Sequence, residues 1–98
     1  MMVIYVDIDD TILKTNGMDY AGAEPMPDRI KKINDLYDEG NEIVYWTARG
    51  TKTGIDHTEL TKNQFKRFGV KYSKLILKKP YYDLFIDDKN INSEEFFK

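Results

Sequence analysis

The residues whose types and positions suggest chemistry are Asp7, Asp9 and Asp10, Thr11, Thr47, Lys78 and Lys79, and the pair Asp87 and Asp88. Each group follows a short apolar run: Met2–Val6, Ile43–Trp46, Leu75–Leu77 and Leu84–Ile86. Runs of this kind, rich in β-branched and aromatic residues, read as buried strands. In an open parallel sheet, ligands bind beyond the C-terminal ends of the strands. One rim would therefore carry several carboxylates, a hydroxyl and a lysine. Crowded carboxylates repel one another, and some take up protons unless a cation sits among them. Hard oxygen donors of this type suit magnesium. A metal framed by carboxylates beside a lysine is in turn a natural seat for a phosphoryl group, whose oxygens are neutralised while a nucleophile is held in line.

The intervening sequence supplies the elements that must hold those strand ends in place. Residues 14–27 contain Gly17, Gly22, Pro25 and Pro27, show no clear period and read as a loop or small flap. Pro27 suits a first helical position and Asp28 a first turn. Ile30, Ile33, Leu36 and Tyr37 then recur at helical spacing up to Gly40, a natural stop. After the strand ending at Thr47 comes a polar loop, residues 48–55. Asp56 and Glu59 have the spacing of a helix capping pair, and Leu60, Gln64, Phe65 and Phe68 outline one helical face closed by Gly69. Ser93 is placed to cap a last short helix through Phe97. The order β-α-β-α-β-β predicts an α/β fold, an open three-layer Rossmann-like parallel sheet forming a single domain over residues 1–98.

Composition narrows the function classes. The 98 residues are 41% hydrophobic and 33% charged, ordinary for a folded globular chain. The absence of cysteine excludes disulfides, thiolate metal sites and a cysteine nucleophile. A formal net charge of -2 gives no reason to expect general nucleic-acid binding. The apolar start is interrupted at Asp7, too early for a signal peptide or a membrane span. No membrane partner and a cytoplasmic location are the expectation.

The pattern Asp7-Ile8-Asp9-Asp10-Thr11 after an apolar strand resembles the first motif of the haloacid dehalogenase-like (HAD) superfamily. Ile43–Thr47 resembles its second motif, Lys79 in Lys-Lys-Pro its third, and Ile86-Asp87-Asp88 its fourth. The four motifs occur in the family's order and span nearly the whole chain. What this resemblance implies is a small capless HAD core working as a magnesium-dependent phosphatase. Asp7 would be the nucleophile that becomes an aspartyl-phosphate, and Asp9 the acid and base. Thr47 and Lys79 would bind the phosphoryl oxygens. Asp7, the Asp9 backbone carbonyl, Asp87 and Asp88 would hold Mg2+. The short gaps after the first motif and before the third strand resemble the capless branch, whose members act on large or projecting substrates or close the site with a neighbouring subunit. Leu77–Asn90 also resembles, loosely, small phosphatases found beside polysaccharide-synthesis genes.

Plainer readings stand beside these. Asp7, Asp9 and Asp10 could be a solvated turn, with Asp10 and Thr11 serving only that turn. Lys78 reads as a surface charge, and Arg49 either as a contact for an anionic substrate or as a surface arginine. His57, at a helix start, reads as solvent-facing or capping, and Trp46, Phe65 and Phe68 as core. Tyr20 in the flap could stack on a substrate ring or do nothing specific. The expected substrate is a small phosphorylated molecule such as a sugar phosphate or nucleotide. The stretch Leu60–Tyr82, with lysines, arginines and tyrosines but no acid, keeps a polynucleotide end phosphatase open. A second alternative is a non-catalytic phospho-Asp or metal-binding signalling module. Receiver domains combine similar residues, but with the acidic pair on the first strand and the acceptor later, the reverse of the order here.

Overall fold

In chain order the computed structural model, which describes residues 1–98, runs β1 (Val3–Val6), β2 (Leu13–Asn16), β3 (Asp19–Pro25), α1 (Pro27–Asp38), β4 (Glu42–Trp46), α2 (Thr58–Phe68), β5 (Lys74–Ile76) and α3 (Ser93–Phe96). β1 and β5 flank β4 in a parallel sheet, with Tyr5 opposite Val44 and Trp46 opposite Ile76. Parallel neighbours need long crossovers, and α1 and α2 supply them. The radius of gyration, 13.0 Å, is that of a single compact unit of this length.

Helix boundaries follow local chemistry. Pro27 opens α1, and Gly40 at φ 96° lies just past its end. Gly69 closes α2 in the left-handed conformation at φ 71°, where any side chain would be strained. The Asp56–Glu59 capping pair does not form: α2 starts at Thr58, whose N–H and Oγ–H both donate to Asp56 Oδ1. At α3 the cap is Asn92 rather than Ser93, with Asn92 Oδ1 accepting from the Glu94 N–H.

Residues 14–27, expected as a loop or flap, are mostly a β-hairpin. β2 and β3 pair antiparallel from Leu13 opposite Pro25 to Asn16 opposite Asp19, turning at Gly17. The strand signal was the alternation of buried Leu13 and Thr15 with exposed Lys14 and Asn16.

Two further differences concern layers. Ile30 and Ile33 of α1, Phe65 of α2, and Ile43 and Tyr45 of β4 belong to one core, so both helices cover the same face of the sheet. By register the other face carries Val3, Tyr5, Val44, Trp46 and Ile76, and no helix covers it. Only Val44 is fully buried there, while Val3 and Tyr5 are each 58% exposed. The expected third layer is therefore missing from the single chain. Trp46, expected in the core, is half-buried on this open face against Tyr5.

The fourth strand, expected at Leu84–Ile86, does not form. Leu84 is 75% and Ile86 86% exposed, in a stretch without regular structure that ends where α3 docks on α1. That docking uses an Arg29–Glu94 ion pair and a bond from Lys32 Nζ to the Phe96 carbonyl. The physical reason is reach. β5 lies at the edge of the sheet far from β1, and only residues 77–83 remain for a parallel return that takes about a dozen residues or more.

Within the core, the Tyr45 hydroxyl is buried without a hydrogen-bond partner, and burial pushes its phenol far above the ordinary range. Replacing an orphaned buried polar group by a carbon-only isostere removes a desolvation cost of about 1–3 kcal/mol. Tyr45→Phe is therefore expected to raise the urea midpoint with an unchanged slope; a lower midpoint would show that the hydroxyl is satisfied.

Candidate active site

β1 delivers Asp7 to the C-terminal rim, and the loop behind it is locked from below. The Ile8 carbonyl accepts from the N–H groups of Thr11, Ile12 and Leu13 at 3.1, 2.9 and 3.1 Å. Ile8, Ile12 and Leu13 are fully buried, while Asp7 and Asp9 line an open cleft. Asp10 takes φ 61°, a left-handed position that aspartate tolerates better than most residues. Arg29 of α1 ties the loop down by donating from Nη1 to the Thr11 carbonyl. Asp10 and Thr11 thus build the turn, as the plainer reading had it, and Thr11 also donates from Oγ1 to Asp7 Oδ2 at 3.3 Å.

Burial pushes the Asp7 carboxyl above the usual carboxylate range. The Ile8 N–H and the Lys79 charge pull it back in part, and the neighbouring Asp9 charge pushes it further up. Asp7 is thus a half-buried carboxylate with one long side-chain hydrogen bond, short of stabilising partners.

Asp9 is the opposite case. Arg49 grips it with a two-pronged contact, Nε to Oδ2 at 3.0 Å and Nη2 to Oδ1 at 2.8 Å, and Thr15 of β2 donates to Oδ1 at 2.6 Å. The guanidinium is fully buried, and its Nη1 donates to Thr61 Oγ1 and Gln64 Oε1 of α2. Of the five N–H groups of an arginine, these contacts leave a single Nη2 hydrogen uncommitted. Arg49 is therefore not a surface residue; it lines the cleft with most of its donors taken, and it positions Asp9.

Thr47 follows directly on β4, buried at the rim. Its Oγ1 accepts from the Arg49 N–H at 3.2 Å, which leaves the hydroxyl hydrogen available. Lys79 is joined to β4 through its N–H, which donates to the Thr47 carbonyl at 2.9 Å. Its ammonium lies 5.1 Å from the Trp46 ring and 5.0 Å from that of Tyr82, and its charge reaches Asp7. Lys78, just before it, is exposed at φ 64°. Gly50 is required in the following loop, where a Cβ would collide with the Ile55 carbonyl oxygen.

The cleft holds about 480 Å3 and is lined by Asp7, Asp9, Thr47 and Arg49 on its floor and by Tyr20, Lys52, His57 and Tyr81 higher up. Tyr20 lies 4.8 Å over the Arg49 guanidinium and meets the His57 ring edge-on at 5.1 Å. His57, expected to face solvent or cap a helix, does occupy the N-cap position of α2, though without a side-chain cap bond, and it also lines the cleft. Sequence reasoning missed Thr15, Thr61 and Gln64 as partners of the Asp9–Arg49 pair. The available signal was Gln64, a polar residue on the apolar face of α2.

Asp87 and Asp88 do not join this group. Both are exposed in the stretch after β5, where the Asp88 N–H donates to Asp87 Oδ1. No cluster of three or more acidic or histidine side chains with room for a metal ion forms anywhere in the chain. Asp7 and the Asp9 backbone carbonyl fit magnesium donors, since only the Asp9 side chain is committed to Arg49 and Thr15. The donors that one chain brings together do not by themselves make the expected site.

No protein-family model matches the sequence, and no curated protein does. Among solved structures, the chain is similar to the crystal structure of an MCSG target from Vibrio cholerae. The two are 28% identical, with a TM-score of 0.88 over 99% of this chain and 88% of that one. The fold is thus a small Rossmann-like α/β unit with a parallel three-stranded sheet. No helix is long and apolar enough to cross a membrane.

Two stability outcomes follow. An acid whose folded pKa lies above its unfolded value loses stability as pH rises through that window, and carries the full cost above it. In metal-free buffer Asp7→Asn should melt higher than the parent at neutral pH. The gain should shrink as pH falls into the acid range where Asp7 itself takes up a proton; thermal melts across pH check this. Arg49→Lys keeps the charge but loses the fork, and should cost about 2–4 kcal/mol in a urea titration. A loss under about 0.5 kcal/mol, as for ordinary surface changes, would show that the pair does not carry the site.

Proposed function

We propose that the chain is a magnesium-dependent phosphomonoester hydrolase acting through an aspartyl-phosphate on Asp7, with a small sugar phosphate or nucleotide as substrate. The observation that carries this reading is Asp7 itself. It is a carboxylate short of partners, at the floor of a cleft, within reach of the Lys79 charge and beside the free hydroxyl hydrogen of Thr47. A phosphoryl group supplies what that arrangement lacks, an electrophile for the carboxylate and oxygens for the two donors.

In the first step an Asp7 oxygen attacks phosphorus, and the bond to the leaving alkoxide breaks as that oxygen takes a proton from Asp9. In the second, Asp9 accepts a proton from water, which attacks phosphorus, releasing phosphate and restoring Asp7. Lys79 and Thr47 balance charge on the transferred oxygens in both steps. Arg49 and Thr15 hold Asp9, so proton transfer requires one prong of that clasp to loosen. Bound magnesium would offset charge on the phosphoryl oxygens. The walls formed by Tyr20, His57, Lys52 and Tyr81 leave room for a sugar or a base.

The clasp on Asp9 also favours a second reading, a phospho-Asp module that does not turn over. One experiment separates the two: phosphate release with magnesium across sugar phosphates, nucleotides and 3′- or 5′-phosphorylated oligonucleotides, with acid-quenched phosphoprotein measured alongside. Multiple turnovers lost at least about a thousandfold in Asp7→Asn support the enzyme. A stoichiometric, long-lived phosphoprotein supports the module, and undiminished turnover in Asp7→Asn ends both.

A further inference from the structure

Three features of the single chain are incomplete in complementary ways. The sheet has an open face carrying Val3, Tyr5, Trp46 and Ile76, although parallel sheets are almost always covered on both sides. The outer edge of β1 is unpaired, a row of backbone donors and acceptors open to another strand. The stretch after β5 exposes an apolar run, Leu84-Phe85-Ile86, followed at once by the acids Asp87 and Asp88 that the cleft lacks.

The run and the edge match, but not within one chain. Laid parallel to β1, residues 85 and 87 would fall beside residues 5 and 7, placing Asp87 next to Asp7. The return from β5 is too short for the same chain to make that parallel crossover. A second copy faces no such limit, because its segment arrives from outside. An exposed apolar segment, an open sheet edge and a bare sheet face on the same molecule are self-complementary, the condition for an isologous dimer.

We infer that two copies exchange this segment: Leu84–Ile86 of each adds as a parallel strand to the β1 edge of the other and delivers Asp87 and Asp88 to the other's Asp7 cleft. The metal-binding acids are then supplied in trans, and a lone chain has an incomplete site. The catalytic part of this inference rests on the phosphatase reading; the pairing does not.

The test uses the absence of native cysteine. Tyr5→Cys and Phe85→Cys are placed on separate, differently tagged chains, which are co-expressed and oxidised, while the parent protein is weighed by light scattering. Exchange predicts a disulfide joining the two different chains and a parent mass of twice 11.5 kDa. A parent that stays at 11.5 kDa at micromolar concentration overturns the inference. So does an internal disulfide in a chain carrying both substitutions. For the shared site, Asp7→Asn chains are co-folded with chains carrying both Asp87→Asn and Asp88→Asn, each inactive alone. A symmetric exchanged dimer restores about a quarter of parent activity, since half the dimers are mixed and each holds one intact site. No recovery alongside an active parent overturns delivery in trans. If the parent itself releases no phosphate, the phosphatase reading fails, and the cross-link and the mass still decide the exchange.

Discussion

A buried guanidinium holds the site end of this molecule together. Arg49 lies just beyond β4, grips Asp9 beyond β1 and bonds Thr61 and Gln64 on α2, while Tyr20 of the hairpin lies over its plane. The Gln64 side-chain amide reaches the same hairpin, donating from Nε2 to the Tyr20 carbonyl at 2.6 Å. Two strand ends, a helix and the hairpin are therefore referenced to one planar cation. Burying an arginine is tolerable because nearly every N–H finds an acceptor, two of them on a charged carboxylate. Its rigid fork also fixes orientation as well as distance, which a lysine in the same place would not.

The two acids of the first loop consequently occupy different chemical situations only two residues apart. Asp9 is satisfied by three donors, whereas Asp7 has one long contact and a burial cost offset only in part by Lys79. In the proposed phosphatase such asymmetry would separate the work of a nucleophile from that of a proton carrier. The carboxylate left short of partners gains most from a ligand, and the satisfied one keeps its place while the ligand changes. The loop that carries Asp7 rests on a packed core, where Ile8, Ile12 and Leu13 are wholly buried.

The sheet above that core is narrow, and its helices sit on one side. A three-stranded parallel sheet with an uncovered face and a free edge is an unusual end state for a chain with this much exposed apolar surface. α3 is anchored back on α1 through Arg29 and Lys32, so the segment before it is held at both ends yet packs on little of its own chain. That combination suits a segment whose partner surface belongs to another copy.

Local pattern was enough to place most of the candidate site. The positions of Asp7, Thr47 and Lys79 at strand ends follow from short apolar runs, and α1 and α2 from 3.6-residue periodicity with Pro27, Gly40 and Gly69 at their limits, because these features depend on near neighbours in sequence. The hairpin was legible in the alternation from Leu13 to Asn16, but the glycines and prolines around it masked the signal. Leu84–Ile86 has the composition of a strand, yet composition cannot report whether the connection before it is long enough to reach a sheet edge. Arg49 could not be assigned from its surroundings in sequence, since all four of its side-chain bonds go to residues 12 or more positions away. Which face the helices cover, which edge stays open and which acid the arginine holds are decided by long-range packing. A linear pattern encodes the preference of each segment but not the geometry with which the segments meet.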